Sequence, residues 1–450
     1  MRQTETAMNS HAFFTQTPPL KLFFTASLPG AAGMLASALY QLLDGIFVGQ
    51  LLGETPFAAL NLAMPFVIIN FALADLIGVG SSVPISICLG QKKEQEANNL
   101  FTCSCLMIVL SGIFVGMLLY AAAPVLIGLM GADGDFARFA VEYLRVYAIC
   151  SPVTTIVFAA DNYLRICGRI KYSMFVNIFM SVISAVLELI FLSVFRQVWA
   201  AALATCTGMT LCVVLSFLPF FRGTMQLRFC RPQFNVRMIR KIFSCGTPNF
   251  LSNIAGRITS ILMNLLLVHF GGETAVSVYG ILMYADGFIQ PLLYGMCDSL
   301  QPAVGCNWGA GCFSRVRALE KCCFTASFFI SLVSGIVIFL FPSRITLLFM
   351  ADADAAFLTM CAGALQLFAL TYVTRWLSFA AQSYLLAIGK ALPAAVISLS
   401  IALLFPVLFI VLLWPLGLTG LWLNFAGSSL LAGLLSLFLL RKNREELPMR

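Results

Sequence analysis

Charged residues and histidines are scarce in this chain. Only 10% of its 450 residues carry a charge, whereas 60% are hydrophobic. A soluble domain needs more polar side chains than this to cover its exterior, which argues against a water-soluble fold. The only histidines are His11 and His269, and no zinc-type spacing of Cys or His occurs, which argues against a metal-centred enzyme. No phosphate-cradling Gly-Lys-Ser loop is present either, so neither ATP nor another cofactor is expected.

Most of the sequence consists of long apolar segments, and the mean hydropathy is +0.94. About twelve segments approach or exceed the roughly 20 apolar residues that a membrane-spanning helix needs. The 15 cysteines are scattered through these segments, where Cys behaves as a small hydrophobe. The segments cover 20–50, 57–89, 100–125, 137–166, 172–194, 198–221, 239–269, 275–307, 322–349, 356–388, 392–415 and 417–440.

The basic residues predict how the chain is oriented. If the N-terminus is cytoplasmic, the outer loops hold only Arg138, Arg145, Arg196 and Arg344. The inner loops hold many more, including the cluster between Arg222 and Lys241. Because basic residues favour the cytoplasmic side, we expect both termini in the cytoplasm. The basic residues lie between apolar segments rather than in one patch, so the net charge of +8 does not indicate nucleic-acid binding. The residues before Pro19 lack a signal-peptide pattern.

The two halves of the sequence are related. The segments that begin at Pro29 and Pro248 align without gaps at an offset of 219, which places Gly90 on Gly309. Gly-Glu-Thr at 53–55 falls on the same three residues at 272–274, and residues 158–164 match 379–385 at offset 221. An even number of crossings in each repeat gives both halves the same direction.

This repeat defines the predicted architecture. We predict an all-α membrane protein with 12 transmembrane helices in two parallel six-helix bundles, related by a pseudo-twofold axis along the membrane normal. The predicted domains are 1–221 and 239–450, joined by a cytoplasmic linker at 222–238. The bundles would enclose a central cavity and rock against each other, as in a transporter.

Polar groups inside the first-half segments are candidates for ion coupling, because an ionised side chain at the bilayer centre costs about 2.5–3.5 kcal/mol. Tyr40 and Gln41 precede Asp44 by four and three residues in the first segment. We expect the three side chains to share one helix face. Ser184 and Glu188 share a face of the fifth segment in the same way. Oxygen ligands of this kind suit a proton or Na⁺. Asn162 and Thr205 are further candidates for this coupling pocket, whereas Tyr40, Asp75 and Asp161 are candidates for a substrate cavity or structural ion pairs.

The second half carries two cations and two anions in its segments: Arg257, Asp286, Asp298 and Arg375. Because an unpaired buried charge is so costly, they are best explained as compensating ion pairs, with a part in a substrate cavity as the alternative. The position equivalent to Asp44 is Met263. The first bundle is therefore expected to carry the coupling chemistry.

Several motifs resemble the multidrug and toxic compound extrusion (MATE) family. They are Leu28-Pro29 with Tyr40 to Gly49, Gln301 to Gly311, Tyr163-Leu164-Arg165 with Gly168, and Trp199 to Thr205. The resemblance implies an antiporter in which inward H⁺ or Na⁺ drives the export of organic, often cationic, compounds, with Asp44 as the acid of the first helix. We expect the chain to function as a monomer. The bacterial branch usually carries Asn and Asp four residues apart in its fifth helix, where this chain has Ser184 and Glu188.

Two other functions remain open on the sequence alone. A flippase for lipid-linked saccharides would need a positively charged cavity, with Arg257 and Arg375 facing it unpaired. A membrane-embedded transferase would use Asp133 and Asp135 of the outer Asp-Gly-Asp turn, which recurs at 352–354 as Asp-Ala-Asp. Apart from organic substrates and membrane lipid, no partner is expected.

Overall fold

The computed structural model describes residues 11–350 and 354–445, and every regular element in these ranges is helical. Two aspartate-turn positions, 352 and 353, and the first ten residues lie outside the described part. The helices are α1 (Pro19–Leu52), α2 (Glu54–Gly90), α3 (Glu94–Leu129), α4 (Gly134–Thr154), α5 (Val157–Ile166), α6 (Ile170–Phe195), α7 (Val198–Phe221), α8 (Val236–Gly309), α9 (Phe313–Leu340), α10 (Pro342–Phe349), α11 (Ala355–Ala369), α12 (Tyr372–Ala387), α13 (Ala391–Leu399), α14 (Phe405–Leu412) and α15 (Gly417–Glu445).

The length and hydropathy of these helices confirm a multi-span membrane protein. Ten helical stretches among the described residues could cross a bilayer, and the bent pair α11 and α12 adds an eleventh. One of the ten, α8, has 74 residues, which would extend about 110 Å as one helix. That length is several times the bilayer core of about 30 Å, so α8 comprises two spans and the described residues hold twelve.

Glycine breaks the chain at equivalent places in the two halves. Gly53 separates α1 from α2 with φ 96°, and Gly272 interrupts α8 with φ 64°. Backbone at positive φ strongly favours glycine, and the two positions are 219 residues apart, as the repeat alignment predicts. Gly168 and Gly389, related by the offset of 221, also have positive φ, at 77° and 81°. The repeat is therefore visible in local backbone geometry.

Both halves also break their fourth segment. In the first half the break lies between α4 and α5, just after Pro152, and proline removes a helical hydrogen bond. In the second half α11 and α12 meet at an angle of 46°. There the Ser429 hydroxyl donates to the carbonyl of Thr371 (3.0 Å), and the Ser331 hydroxyl donates to that of Tyr372 (2.7 Å). Side-chain hydroxyls thus bind carbonyl groups beside the break, as a bilayer requires.

Contacts group the chain into two compact units. Among the described residues, the first unit covers 11–18, Leu28–Gly246 and Gly305–Gly311, and the second covers Pro19–Ser27, Thr247–Val304, 312–350 and 354–445. The start of α1 and both ends of α8 are therefore assigned to the opposite unit from the rest of those helices. The domain boundaries that the sequence suggests remain a prediction.

Small residues allow helices of the first unit to approach closely. A methyl group on Gly246 of α8 would collide with the Leu76 carbonyl of α2, and one on Gly208 of α7 would collide with the Ser184 hydroxyl of α6. Close approach at small residues is how membrane helices gain packing energy, because lipid offers little hydrophobic drive for their association. The Gly208 contact matters for function because it fixes the distance between α6 and α7.

The segment between α7 and α8 is held against α3 by side chains. Three backbone N–H groups of the segment donate to side-chain oxygens of α3: Arg228 to Asn98, Cys230 to Thr102, and Gln233 to Asn99. Leu227 is fully buried, and the Phe229 ring stacks on Phe221 with 5.2 Å between centroids. This part of the predicted linker is therefore packed into the first unit.

Candidate ion-coupling site

A cluster of polar side chains lies inside the first unit, where α1, α6 and α7 meet. Asp44 is 5% exposed and Glu188 is fully buried. Asp44 follows Tyr40 by one helical turn on α1, and Glu188 follows Ser184 by one turn on α6, so each pair projects from one face. Thr205 of α7 is buried beside them, at 4% exposure. The predicted coupling residues Asp44, Ser184, Glu188 and Thr205 therefore share this interior with Tyr40.

Tyr40 connects the three helices. Its hydroxyl donates to Glu188 Oε2 over 3.2 Å and lies 2.7 Å from Thr205 Oγ1. Thr205 Oγ1 in turn donates to the Ala201 carbonyl, one turn earlier on α7, over 3.2 Å. Glu188, Tyr40, Thr205 and the Ala201 carbonyl thus form a line of three contacts, which we call the hydroxyl relay.

The protons available decide how many of these contacts are hydrogen bonds. Each hydroxyl supplies one donor, so Tyr40 and Thr205 together can make two bonds while Glu188 is ionised. A proton on Glu188 adds a third donor. Glu188 then donates to Tyr40, Tyr40 donates to Thr205, and Thr205 donates to Ala201. The hydroxyl relay is therefore complete only when Glu188 is protonated.

The two acids are close enough to interact directly. Their carboxyl groups interact electrostatically, and two neighbouring ionised carboxylates repel each other. Asp44 Oδ1, Glu188 Oε1 and Ser184 Oγ are buried without a hydrogen-bond partner in the described protein. Buried polar atoms normally have partners, so these three oxygens mark a place for a proton or a hard cation. Carboxylate and hydroxyl oxygens are suitable ligands for Na⁺ as well.

Gln41 does not join the cluster, contrary to the expected shared face. It follows Tyr40 by one residue, which turns its side chain about 100° around the helix, and it is exposed. Asn162 is half-buried on α5, and none of the hydrogen bonds among the described residues links it to Asp44 or Glu188. Asp75 is half-buried on α2.

Asp161 belongs to a separate network between α5 and α6. Its carboxylate lies 2.5 Å from Arg165 Nη2, accepts from Asn177 Nδ2 over 2.7 Å and accepts from the Ser173 hydroxyl. Arg165 is 3% exposed and also donates to Ser173. A buried arginine needs such a partner, so Asp161 ties α5 to α6 rather than contributing to the acid pair.

Two tyrosines near the acids were not among the sequence candidates. Tyr143 and Tyr147 on α4 are fully or almost fully buried, with ring centroids 5.2 Å apart. Both interact electrostatically with Asp44. Their spacing of four residues, which places both hydroxyl groups on one side of a membrane-spanning segment, was the available signal.

In the second unit, Asp286 and Arg375 form an ion pair. Both nitrogens of the guanidinium, Nη1 and Nη2, donate to the carboxylate over 2.9 Å, and the Tyr372 hydroxyl donates to it over 2.6 Å. Asp298 accepts from Gln301 and Ser383 over 2.9 and 3.3 Å.

Arg257 does not form the second pair that the charge balance suggested. Its side chain is exposed and forms no salt bridge among the described residues. The flippase alternative needed Arg257 and Arg375 unpaired in a cavity, and the bidentate bond of Arg375 to Asp286 counts against it.

Comparison with known families decides the classification. The model of the MatE family matches residues 29–190 and 248–412, well over half of the chain. The chain belongs to the MatE family. The two matched ranges begin at Pro29 and Pro248, where the alignment of the halves begins, so the MatE match supports the internal repeat. The resemblance found in the sequence motifs is confirmed, and membership of a transporter family argues against the transferase alternative.

Individual MatE relatives match over nearly their whole length. The multidrug export protein MepA of Staphylococcus aureus strain MSSA476 is 27% identical over 439 residues, which are 95% of this chain and 96% of that protein. MepA of Staphylococcus saprophyticus is 26% identical over 438 residues, again 95% and 96% of the two chains.

Solved structures share the MatE fold. An outward-facing multidrug resistance MATE family transporter superposes with a TM-score of 0.91 at 22% identity, covering 98% of this chain and 99% of that one. A MATE protein in complex with MaL6 gives a TM-score of 0.91 at 22% identity, covering 96% and 98%. The predicted all-helical, multi-span fold is therefore confirmed.

Proposed function

We propose that this MatE protein is a secondary active exporter of organic compounds, often cationic ones, driven by inward movement of a cation. The similarity to the MepA export proteins over 95% of the chain supports this function. The observation that carries the mechanism is the buried acid pair Asp44 and Glu188, whose free oxygens are not neutralised by any basic side chain among the described residues. An acid pair in this state can exchange a cation during transport, whereas an acid bound to arginine cannot.

The hydroxyl relay favours H⁺ as the coupling ion. A proton on Glu188 completes all three contacts of the relay, and Na⁺ adds no donor to it. Protonation would also relieve the repulsion between the two carboxylates. Outside, at higher proton activity, the pair would load a proton; inside, it would release it as the bundles alternate.

We further propose that both termini face the cytoplasm of a bacterial cell and that one chain suffices for transport. The orientation is supported by the excess of basic residues in the inner loops. Substrate would be carried outward, with its positive charge exchanged for the proton on the acid pair. Proton and cationic substrate would compete for the same carboxylates, which couples the two movements.

Transport in everted membrane vesicles tests this proposal. Vesicles with an acid interior should take up ethidium when they carry the wild-type chain, and uptake should fall to background for Asp44→Asn and Glu188→Gln. Asp135→Asn is the matched control, because Asp135 is 73% exposed at a surface salt bridge and should leave uptake unchanged. Uptake by Asp44→Asn at the wild-type rate, with equal amounts of protein in the membrane, would overturn the proposal. Replacing the proton gradient by a Na⁺ gradient identifies the ion.

A further inference from the structure

The second unit contains a cavity of about 250 Å³ next to its buried ion pair. Asp286 and Arg375 reach it from α8 and α12 with side-chain exposures of 10% and 14%. Aromatic rings and hydroxyl groups form much of the remaining wall. These lining residues include Ser260, Tyr279, Tyr294, Thr371, Phe379 and Phe425.

This cavity is the repeat-related counterpart of the acid-pair site. Thr259 and Met263 line it, and the offset of 219 relates them to Tyr40 and Asp44. The Thr259 hydroxyl donates to the Ala402 carbonyl, in a π-helical turn at Ser400–Leu404, over 2.5 Å. Met263 replaces the carboxylate by a thioether, which accepts weakly from Asn424 at 3.7 Å. The second unit therefore keeps a polar interior but has no acid where the first unit has Asp44.

The acid of this cavity comes from another position and is already bound to a cation. Asp286 receives two parallel hydrogen bonds from the Arg375 guanidinium. The guanidinium carbon also lies 5.2 Å from the centroid of the Phe379 ring and 5.8 Å from that of Tyr372. A carboxylate together with aromatic faces is the usual protein site for an organic cation. Arg375 has a pKa too high for it to lose its proton in a protein, so this cation is permanent.

We propose that the cavity of the second unit is a guanidinium-type cation site whose ligand is the chain's own Arg375. The tethered cation keeps Asp286 neutralised in every step of transport, so this unit exchanges no ion and coupling is confined to Asp44 and Glu188. Removal of the Arg375 side chain then opens a site for a soluble planar cation. The unpartnered and buried Thr371 hydroxyl in the cavity wall is available as an additional acceptor. This inference rests on the proposed function for its role in coupling, but the site itself does not depend on transport.

Binding of guanidinium to purified Arg375→Ala protein tests the site. We expect low-millimolar guanidinium to raise the melting temperature of this variant saturably and leave the wild-type chain unchanged. Guanidinium should bind about tenfold or more tightly than tetramethylammonium, which cannot form two parallel N–H bonds to a carboxylate. The matched control is Arg257→Ala, which removes an exposed arginine of the same unit and should show no guanidinium effect. The double variant Asp286→Asn/Arg375→Ala should also show none.

Each outcome bears on the proposal. Recovery of folded Arg375→Ala protein only when guanidinium is present during purification would support it, because the free cation then replaces the missing side chain. An unchanged melting temperature of folded Arg375→Ala protein, or the same shift in Arg257→Ala, would overturn it. If guanidinium binds as expected but Asp44→Asn still transports, the proposed coupling site is wrong and the Arg375 site stands. If Asp44→Asn is inactive and no guanidinium binds to Arg375→Ala, the proposed coupling site stands and the Arg375 site is wrong.

Discussion

Replacement of Thr205 by valine removes one link of the hydroxyl relay without changing the shape of the side chain. In the wild type, a proton on Glu188 raises the number of possible hydrogen bonds along the relay from two to three. Without the Thr205 hydroxyl, Tyr40 can bond only to Glu188, whether or not that residue carries a proton. When Glu188 is protonated in this variant, either its own hydroxyl or that of Tyr40 has no acceptor. Thr205→Val therefore destabilises protonated Glu188 relative to ionised Glu188.

The expected size follows from one neutral hydrogen bond, which contributes roughly 0.5–1.5 kcal/mol. Because 1.36 kcal/mol corresponds to one unit of pH, the midpoint of proton-dependent transport should fall by about 0.4–1 pH unit. The sign is fixed by the relay: the variant loses stabilisation of the protonated state, so a higher proton concentration is needed to load it. Transport at saturating proton concentration should remain.

The assay is the rate of drug uptake into everted vesicles as a function of luminal pH at constant substrate. Thr205→Ser, which keeps a hydroxyl, should retain the wild-type midpoint. Thr207→Val is the matched control, since the Thr207 hydroxyl bonds to the Leu203 carbonyl on the same helix and should not shift it either. A midpoint that rises in Thr205→Val, or that shifts equally in Thr207→Val, would refute the relay.

Two further predictions concern helix packing and orientation. Gly208→Ala should abolish transport and cost about 1–3 kcal/mol of stability, measured by thermal melting, because its methyl group forces Ser184 and α6, which carries Glu188, away from α7. Gly280→Ala, at a helical glycine with open space around it, should keep both properties, and an equal loss there would show that helix composition rather than this contact is responsible. A membrane-impermeant maleimide should label Cys230, the exposed cysteine among those described, in everted vesicles but not in intact cells. Labelling of Cys230 in intact cells, absent in a Cys230→Ser control, would reverse the proposed orientation.

The sequence predicts helix faces well where residues are one turn apart. Asp44 with Tyr40 and Glu188 with Ser184 both face the interior of the first unit, because a spacing of four residues nearly completes one helical turn. Gln41 fails for the same reason, since adjacent residues diverge by about 100°. The twofold repeat also located Gly53 and Gly272 as equivalent breaks, because positive φ strongly favours glycine at both places.

Contacts between distant segments were beyond the sequence. The bond between Tyr40 and Glu188 joins residues 148 positions apart, and hydrophobic periodicity says nothing about which helices become neighbours. The pairing of Asp286 with Arg375 rather than with Arg257 depends on which arginine is buried. Charge counting cannot distinguish the two, because both lie in apolar segments of similar composition.

The most direct test of the account is substrate-induced proton release from purified protein in detergent, followed with a pH-sensitive dye in weakly buffered solution. We expect a cationic substrate to displace a proton from wild-type protein, and to displace none from the Asp44→Asn/Glu188→Gln variant, while the charge-balanced Asp286→Asn/Arg375→Ala variant behaves as the wild type. Proton release that persists in the Asp44→Asn/Glu188→Gln variant, or that disappears in folded Asp286→Asn/Arg375→Ala protein, would contradict the assignment of coupling to the acid pair of the first unit.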